Sequence, residues 1–465
     1  MAKNTLLRTI PQFGTVTVAD GRTRLAGCVV AALLIAATWF GCVHGAAAAP
    51  KIAVFLAICA TVWAFAELLT AFLLLSQFYM AGNLSLAIVA AGYLVSALLT
   101  IPYLLFFPGV FGPAPVGHGD LQISIWLWIS WHLAFPLAVA GAHLIDGSLD
   151  TAGLPRSRIP AALAWLMAGS VGVAGALFAT IFLARDWLPI IVLAGGHFSP
   201  AYKDFAAPIV ALNAIAIAIV LLRARRLSRL QTWLSIALLT MVLDGLLNIW
   251  SPGRYSVAWY IGKFEALVMA TVVLSMLLLE VATLYRRLYL AATIDVLTGL
   301  PNRRSFMDDA ISALAKRDQQ PTGVALLIID VDHFKTYNDR YGHAAGDDAL
   351  AAVGSALRTS AVRASDSVAR YGGEEFVVLL PDTLVGDAEM VAERVRRRVS
   401  DLGIVHEGSP SGRLTVSVGI GYCGSPLDVS EPILFEYADR ALYMAKGQGR
   451  NCVVLQVVRQ KQAVA

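Results

Sequence analysis

Ser367-Val-Ala-Arg-Tyr-Gly-Gly-Glu-Glu-Phe-Val-Val-Leu-Leu380 reads as two strand-like runs on either side of a Gly-Gly turn, bounded by Pro381. The glycines permit a tight reversal and let a ligand approach the backbone, and the carboxylates after them are held at the tip of the hairpin. Alone, such an acidic tip is usually a solubilising feature. Upstream, Val324 to Val331 is almost wholly apolar and ends in Asp330 and Asp332 beside His333 and Phe334. An uninterrupted apolar run of this length predicts a central strand covered on both faces. Carboxylates at its end sit at a rim that hard cations and phosphates can reach, and Mg²⁺ commonly takes one or two carboxylates together with substrate phosphates.

Composition separates this region from the rest of the chain. Of 465 residues, 57% are hydrophobic and 15% charged, against about a quarter charged in soluble proteins. Between Ala291 and Ala465 lie 41 of the 68 charged side chains. A single water-soluble core is excluded, and the main boundary falls near Ala291. The net charge of +4 is small and belongs mostly to Arg and Lys flanking apolar runs, so it is no argument for nucleic acid. Five scattered cysteines without a C-x-x-C pair indicate neither a disulfide framework nor a zinc site.

The first 290 residues hold eight apolar runs: Leu25 to His44, Ile52 to Leu75, Leu84 to Phe107, Leu121 to Leu144, Ala161 to Ala184, Pro208 to Leu222, Trp233 to Trp250 and Val257 to Leu279. Hydrocarbon offers no water to backbone amides, so each run must close its own hydrogen bonds as a helix, and about 20 residues cover the apolar thickness. The first run reads as an uncleaved anchor, with a cleaved signal peptide as its rival. The sixth is short, so seven spans is the alternative count. Lys3, Arg8, Arg22 and Arg24 precede the first run, Arg156 and Arg158 follow the fourth, and Arg223, Arg225, Arg226 and Arg229 follow the sixth. The positive-inside rule then predicts eight spans with both termini in the cytoplasm. Glu67, His132, His143, Asp244, Lys263 and Glu265 fall inside spans, where polar groups are costly, and are candidates for a buried site or a coupling network.

Leu274, Leu277, Val281, Leu284, Leu288 and Ala291 follow one another at alternating spacings of three and four. The stripe reads either as a short parallel coiled coil with a second copy or as the frayed end of the eighth spanning helix. The expected organisation is a cytoplasmic segment over 1–24, a transmembrane domain over 25–279, a helical connector over 280–293, a charged mixed helix-and-strand domain over 294–456 and a tail over 457–465.

Taken together, Asp295-Val-Leu-Thr-Gly-Leu-Pro-Asn-Arg303, Ile329-Asp-Val-Asp-His-Phe-Lys335, Asn338-Asp339, Gly342-His343 with Gly346-Asp347, Gly372-Gly-Glu-Glu-Phe376, and Ala441-Leu-Tyr-Met-Ala-Lys446 with Gly449-Arg-Asn451 resemble a GGDEF-type diguanylate cyclase. No catalytic motif position departs from the pattern. The runs after Phe65, Ala90 and Ile125 resemble a bacterial membrane-associated sensor domain found ahead of signalling enzymes. The expected fold is an all-α polytopic membrane domain followed by an α+β nucleotide-cyclase-like domain with a central mixed β-sheet.

The resemblance implies a homodimeric enzyme of the bacterial inner membrane that joins two GTP molecules into cyclic di-GMP and releases two pyrophosphates. It implies Mg²⁺, or Mn²⁺, held by Asp330, the Val331 carbonyl, Glu374 and Glu375, with Glu374 also placed to act as base. Asn338 and Asp347 would read the guanine edge. Gly372 and Gly373 would admit the nucleotide, and Lys335, Lys446 and Arg450 would face its phosphates. Lys446 and Arg450 stand one helical turn apart if that segment is helical. Arg363 and Asp366, five residues or more before Gly372, with Arg394 from another surface, match an inhibitory product site. The alternative is a catalytically inactive domain acting as a receptor for GTP or cyclic di-GMP, which lost acids would betray; Asp330, Glu374 and Glu375 are all present.

Overall fold

The computed structural model describes residues 17–52, 54–108, 110, 120–146, 153–193, 196–224, 226–315, 322–360, 363–424 and 431–458. Lys3, Arg8, Arg225 and residues 459–465 lie outside them. The chain divides into two compact units, Met1–Thr283 and Leu284–Ala465.

The first unit is built from α1 (Gly21–His44), α2 (Phe55–Ala81), α3 (Leu84–Leu105), α4 (Asp120–Asp146), α5 (Ile159–Leu183), α6 (Tyr202–Arg223), α7 (Arg229–Trp250) and the start of α8 (Val257–Thr293). All eight are long and apolar enough to cross a membrane. The sixth is not short: it begins at Tyr202, and its first turn carries Lys203 and Asp204, which cut the apolar run in the sequence without stopping the helix. Pro208 is accommodated inside it.

Polar caps set several helix starts. Asp20 accepts from the Thr23 amide at 2.8 Å, and Asn83 from the Ser85 amide at 2.9 Å. Ser228 and Gln231 form a reciprocal capping box on α7. In the most apolar windows of α3 and α4, 67% of residues are buried, against 17% for α5 and 22% for α1. The bundle is therefore organised around α3 and α4, where Tyr93 meets Phe135 edge-on at 4.8 Å. Glu67, His132, His143, Asp244, Lys263 and Glu265 are all buried.

α8 continues unbroken into the second unit. Leu274 and Leu277 of its heptad stripe are buried, whereas Val281 and Leu288 are exposed. After α8 come α9 (Arg303–Ala315), β1 (Gly323–Val331), α10 (Phe334–Tyr341), α11 (His343–Arg358), β2 (Ser367–Gly372), β3 (Glu375–Thr383), α12 (Val385–Asp401), β4 (Val416–Cys423), α13 (Glu431–Gly447) and β5 (Val453–Val457).

The strands form one sheet in the order β2-β3-β1-β4-β5. Only β4 and β5 run parallel, so the sheet is mixed. β1 lies at its centre and is buried along its whole length. Ala325, Leu327, Ile329 and Val331 enter the core that also holds Phe334, Leu350 and Val395, from α10, α11 and α12. Val324, Leu326 and Ile328 enter the opposite core with Phe306 of α9 and Leu442 of α13. Alternation along one strand thus feeds two hydrophobic layers, each fully buried Leu or Ile contributing about 1.5–3 kcal/mol.

Two details of the hairpin differ from the sequence expectation. β3 runs through Pro381 to Thr383, and the pairing with β1 is irregular between Gly323 and Ala325, where a strand lacking the proline N–H can be accommodated. The reversal is centred on Gly373 and Glu374, with Gly372 paired to Glu375.

Candidate active site

The end of β1 and the tip of the β2–β3 hairpin are neighbours because of register. Asp330 stands opposite Glu375 on β3 and opposite Ser417 on β4, and the Val331 amide donates to the Glu374 carbonyl at 3.3 Å. Directly opposed antiparallel residues send their side chains to the same face. Asp330 is buried, Glu374 half-buried and Glu375 exposed. Gly373 takes φ +50°, a left-handed conformation that glycine adopts without steric penalty.

Asp330 faces the α13 side of the sheet, where Lys446 places Nζ 2.8 Å from its Oδ2. Burial raises the Asp330 pKa above the usual carboxylate value; the Lys446 ammonium opposes this, and the carboxylates of Glu374 and Glu375 add to it. α13 lies close enough for this contact because Gly419 of β4 has no side chain: a Cβ there would fall 2.2 Å from the Leu442 nitrogen.

Among the described residues no three Asp, Glu, His or Cys side chains converge as a ready-made metal cage. The donor set nevertheless suits Mg²⁺, which is satisfied by one or two carboxylates when phosphate oxygens complete its shell. The mutual repulsion felt by Asp330 from Glu374 and Glu375 is what a bound divalent cation would relieve.

Asn338 on α10 presents Oδ1 as a buried acceptor with no hydrogen-bond partner. Gly346 on α11 leaves the space for it, since a Cβ there would fall 1.9 Å from that oxygen. Asp347 on α11 and Lys335 on α10 are exposed. Arg450 is not one helical turn beyond Lys446: α13 ends at Gly447, and Arg450 and Asn451 both adopt left-handed backbone, with φ of 64° and 47°. Gly447 and Gly449 break the helix, and the turn is then anchored at Asn451.

That anchor is Asp332. Rather than standing at the rim, it is buried: Oδ1 accepts from Ser417 at 2.7 Å, and Oδ2 accepts from Thr415 at 2.7 Å and from the Asn451 amide at 3.1 Å. Arg396 of α12 adds a bond to Asn451 Oδ1 at 2.7 Å while holding Glu393. Glu393, hydrogen-bonded by Arg396 and Arg397, has its pKa lowered to about 2. The i, i+2 spacing of Asp330 and Asp332 hides their different fates, because the strand ends between them. The hydroxyls of Thr415 and Ser417, also two apart, were the available sign of an inward carboxylate.

A second tie runs from the end of α8 to the hairpin tip. Arg370 donates from Nη1 to Asp295 Oδ1 and Oδ2 at 3.1 and 3.2 Å, and from Nε and Nη2 to the Gly373 carbonyl at 3.0 and 2.7 Å. Its own amide binds the Pro301 carbonyl at 2.9 Å, and the Asn302 amide binds the Thr293 carbonyl at 2.8 Å. Burial alone would raise the Asp295 pKa, but Thr298 and Arg370 together hold it below the usual value.

Arg363 and Asp366 are brought together in the loop before β2, where the Arg363 amide donates to Asp366 Oδ2 at 3.1 Å. Arg363 also lies 3.7 Å from Asp387. Arg394, on α12, donates to the Ser360 carbonyl at 3.1 Å, at the end of the helix that leads into this loop.

Residues 292–452 match the family model "Diguanylate cyclase, GGDEF domain" and residues 50–285 match "Membrane-associated sensor, integral membrane domain". Response regulator PleD of Caulobacter vibrioides is 44% identical over 166 residues, 35% of this chain and 36% of PleD. Diguanylate cyclase DgcM of Escherichia coli is 42% identical over 164 residues, 35% of this chain and 38% of DgcM. The chain therefore spans little more than a third of the length of these relatives. Among solved structures, the coiled coil and GGDEF domain of DgcB from Caulobacter crescentus, in complex with c-di-GMP, is 31% identical, covering 39% of this chain and 97% of that one, with a TM-score of 0.34.

Proposed function

The chain belongs to the membrane-associated sensor family MASE4 and carries a diguanylate cyclase, GGDEF domain, and from that premise we propose that it condenses two GTP into cyclic di-GMP with release of two pyrophosphates. The observation that carries this reading is the meeting of Asp330, Glu374, Glu375 and Lys446 at one end of the sheet, together with the unpartnered buried oxygen of Asn338 on α10.

Asn338 Oδ1 accepts from a guanine N–H, and the exposed Asp347 carboxylate suits the remaining donors; adenine presents the opposite pattern on that edge. Asp330, the Val331 carbonyl and Glu374, with Glu375 beside them, would hold Mg²⁺ or Mn²⁺, which when bound neutralises triphosphate charge, polarises the α-phosphate and lowers the pKa of the attacking 3′-hydroxyl. Gly372 and Gly373 leave the hairpin tip open to the nucleotide. Lys446 exchanges its contact with Asp330 for a phosphate oxygen, and Lys335 and Arg450 supply further positive charge. Glu374 is also the acceptor nearest in sequence to the turn for the 3′-hydroxyl proton.

Each catalytic domain, 294–456, holds one nucleotide, so two copies must face each other for in-line attack. The exposed Val281 and Leu288 of the connector, 280–293, support pairing with a second copy. The protein sits in the bacterial inner membrane through residues 25–279, both termini in the cytoplasm, where GTP is available; the basic even-numbered loop ends support that orientation. Arg363, Asp366 and Arg394 form an inhibitory site for the product.

Incubation of the purified protein with GTP and Mg²⁺ tests the reading. Cyclic di-GMP should form with the wild type and not with Glu374→Ala or Glu375→Ala. An inactive wild type under conditions that support dimers would favour a receptor for GTP or cyclic di-GMP instead.

A further inference from the structure

Several buried polar residues of the membrane unit line one small cavity. A cavity of about 30 Å³ is lined by Glu67 of α2, Thr100 of α3, His132 of α4, Thr240 and Asp244 of α7, and Lys263 of α8, with tryptophans completing the wall. Such a volume holds one or two water molecules or a partly dehydrated small ion. It is too small for an organic ligand.

The walls point oxygen lone pairs into it. Glu67 receives a bond on Oε1 from Ser96 at 3.0 Å, and its Oε2 is buried without a hydrogen-bond partner. Asp244 receives a bond on Oδ1 from Asn248 at 2.9 Å, and its Oδ2 likewise has none. Thr100 and Thr240 donate their hydroxyl protons to the carbonyls of Ser96 and Ile236, leaving only acceptor capacity free. His132 must donate from Nδ1 to the Trp128 carbonyl at 2.8 Å. Its Nε2 then stands 3.4 Å from Asp244 Oδ2, longer than the roughly 2.7–2.9 Å of a charge-assisted hydrogen bond.

Charge points the same way. Around the cavity two carboxylates, Glu67 and Asp244, face one ammonium, Lys263, which lies 5.8 Å from the ring centres of Trp63 and Trp128 and 5.9 Å from that of Trp259. Indole faces at that range favour the charged amine. Including the nearest further groups leaves the balance unchanged: Glu265 is bonded to Thr38 of α1 at 2.7 Å, and Arg254, in the α7–α8 turn, donates to Ser124. Three carboxylates then face two cations. In hydrocarbon an uncompensated charge is expensive, so with these carboxylates ionised and His132 neutral the cluster has a place for one further positive charge.

We propose that this cavity is a binding site for one alkali cation, of which Na⁺ is the type, held by Glu67, Asp244 and the two threonine hydroxyls. Oxygen-only donors suit a hard cation, and a shared water supplies the acceptor that the buried, unpartnered Trp63 indole N–H requires. The helices that meet there include α8, which continues into the second unit. Occupancy therefore acts on the same helix that leads to the catalytic domain.

The test uses the full-length protein in nanodiscs at mildly alkaline pH and constant ionic strength, with Na⁺ replacing N-methylglucamine. Emission from the tryptophans lining the cavity is the readout, so the outcome is independent of any cyclase activity. A saturable Na⁺-dependent change is expected, with affinity weakened about 100-fold in Glu67→Gln and Asp244→Asn, as when one partner of a buried charge pair is removed. Glu265→Gln removes a carboxylate of the same cluster that lies outside the cavity wall, and should weaken binding by less than either wall variant. Thr240→Val, which removes one oxygen and keeps the shape, serves if a carboxylate variant misfolds. A wild type indifferent to Na⁺, a response to pH alone, or an undiminished Na⁺ response in Glu67→Gln, Asp244→Asn and Thr240→Val would each overturn the site.

Discussion

The Asn451 amide donates to Oδ2 of Asp332 at 3.1 Å, so the turn that carries Arg450 is fastened to the residue directly after β1. The same carboxylate takes the hydroxyls of Thr415 and Ser417. One buried side chain thus fixes the spacing between β1, β4 and the loop after α13.

Asp332→Ala should be the most disruptive single change near the site that touches no nucleotide-facing group. It strands the two buried hydroxyls of Thr415 and Ser417, at about 1–3 kcal/mol for each left unpaired, and frees the part-buried Asn451 amide. The midpoint of heat inactivation of the full-length protein should fall markedly, and less for Asp332→Asn, whose amide oxygen still accepts. Equal midpoints for Asp332→Ala and wild type would refute the role of the carboxylate as an anchor.

Arg370→Ala and Asp295→Ala should each lower kcat with little change in the GTP KM, since neither side chain is assigned to the nucleotide. A double-mutant cycle should return a coupling of about 1–2 kcal/mol, as for residues sharing one network. Because the Asp295 pKa is lowered in the folded protein, the stability it contributes is complete above the unfolded value near 3.9 and lost as pH falls through the folded value. The tie should accordingly be insensitive to pH across the neutral range and fail only in acid.

Lys446→Met should move the acid limb of the cyclase pH profile to higher pH. Burial already raises the Asp330 pKa, and Lys446 is the group that opposes the rise. For stability the sign is opposite to that of Asp295: the cost of ionising Asp330 is absent below its unfolded value and complete above its raised folded value. Profiles of kcat/KM at saturating Mg²⁺ would decide the matter, and coincident acid limbs would count against the pairing.

Gly346→Ala should raise the GTP KM with the fold preserved. The added methyl would overlap Asn338 Oδ1, and displacement of a positioning group by about 1 Å can cost on the order of 100-fold. Circular dichroism matching the wild type, together with an unchanged KM, would remove Asn338 from guanine recognition.

Much of this was legible beforehand for reasons that can be stated locally. Eight helices follow from apolar length, because hydrocarbon leaves the backbone no other way to close its hydrogen bonds. The centre of the sheet follows from the unbroken run ending at Val331, and the acidic hairpin tip from two glycines between strand-like runs. Lys203 and Asp204 misled the reading of the sixth span because interfacial charge lowers the apolar score without opposing a helix. Pro381 misled the reading of β3 because the strand bulges there: Pro381 and Asp382 stand opposite Val324 alone, with Asp382 in left-handed backbone, and the bulge absorbs the missing N–H.

The sequence by itself determined which residue types stand at the site, since carboxylates, glycines and an amide at those spacings have few other uses together. Only the tertiary structure decided their partners. It assigned Asp330 to Lys446 and Asp332 to Asn451, although the two acids are two residues apart in one motif. It joined Asp295 to Arg370 across 75 positions. It also gathered Glu67, Asp244 and Lys263 around one cavity. Spacing along a chain constrains only neighbours within a turn or a strand; contacts between distant segments are set by register and helix packing, which depend on the whole core at once.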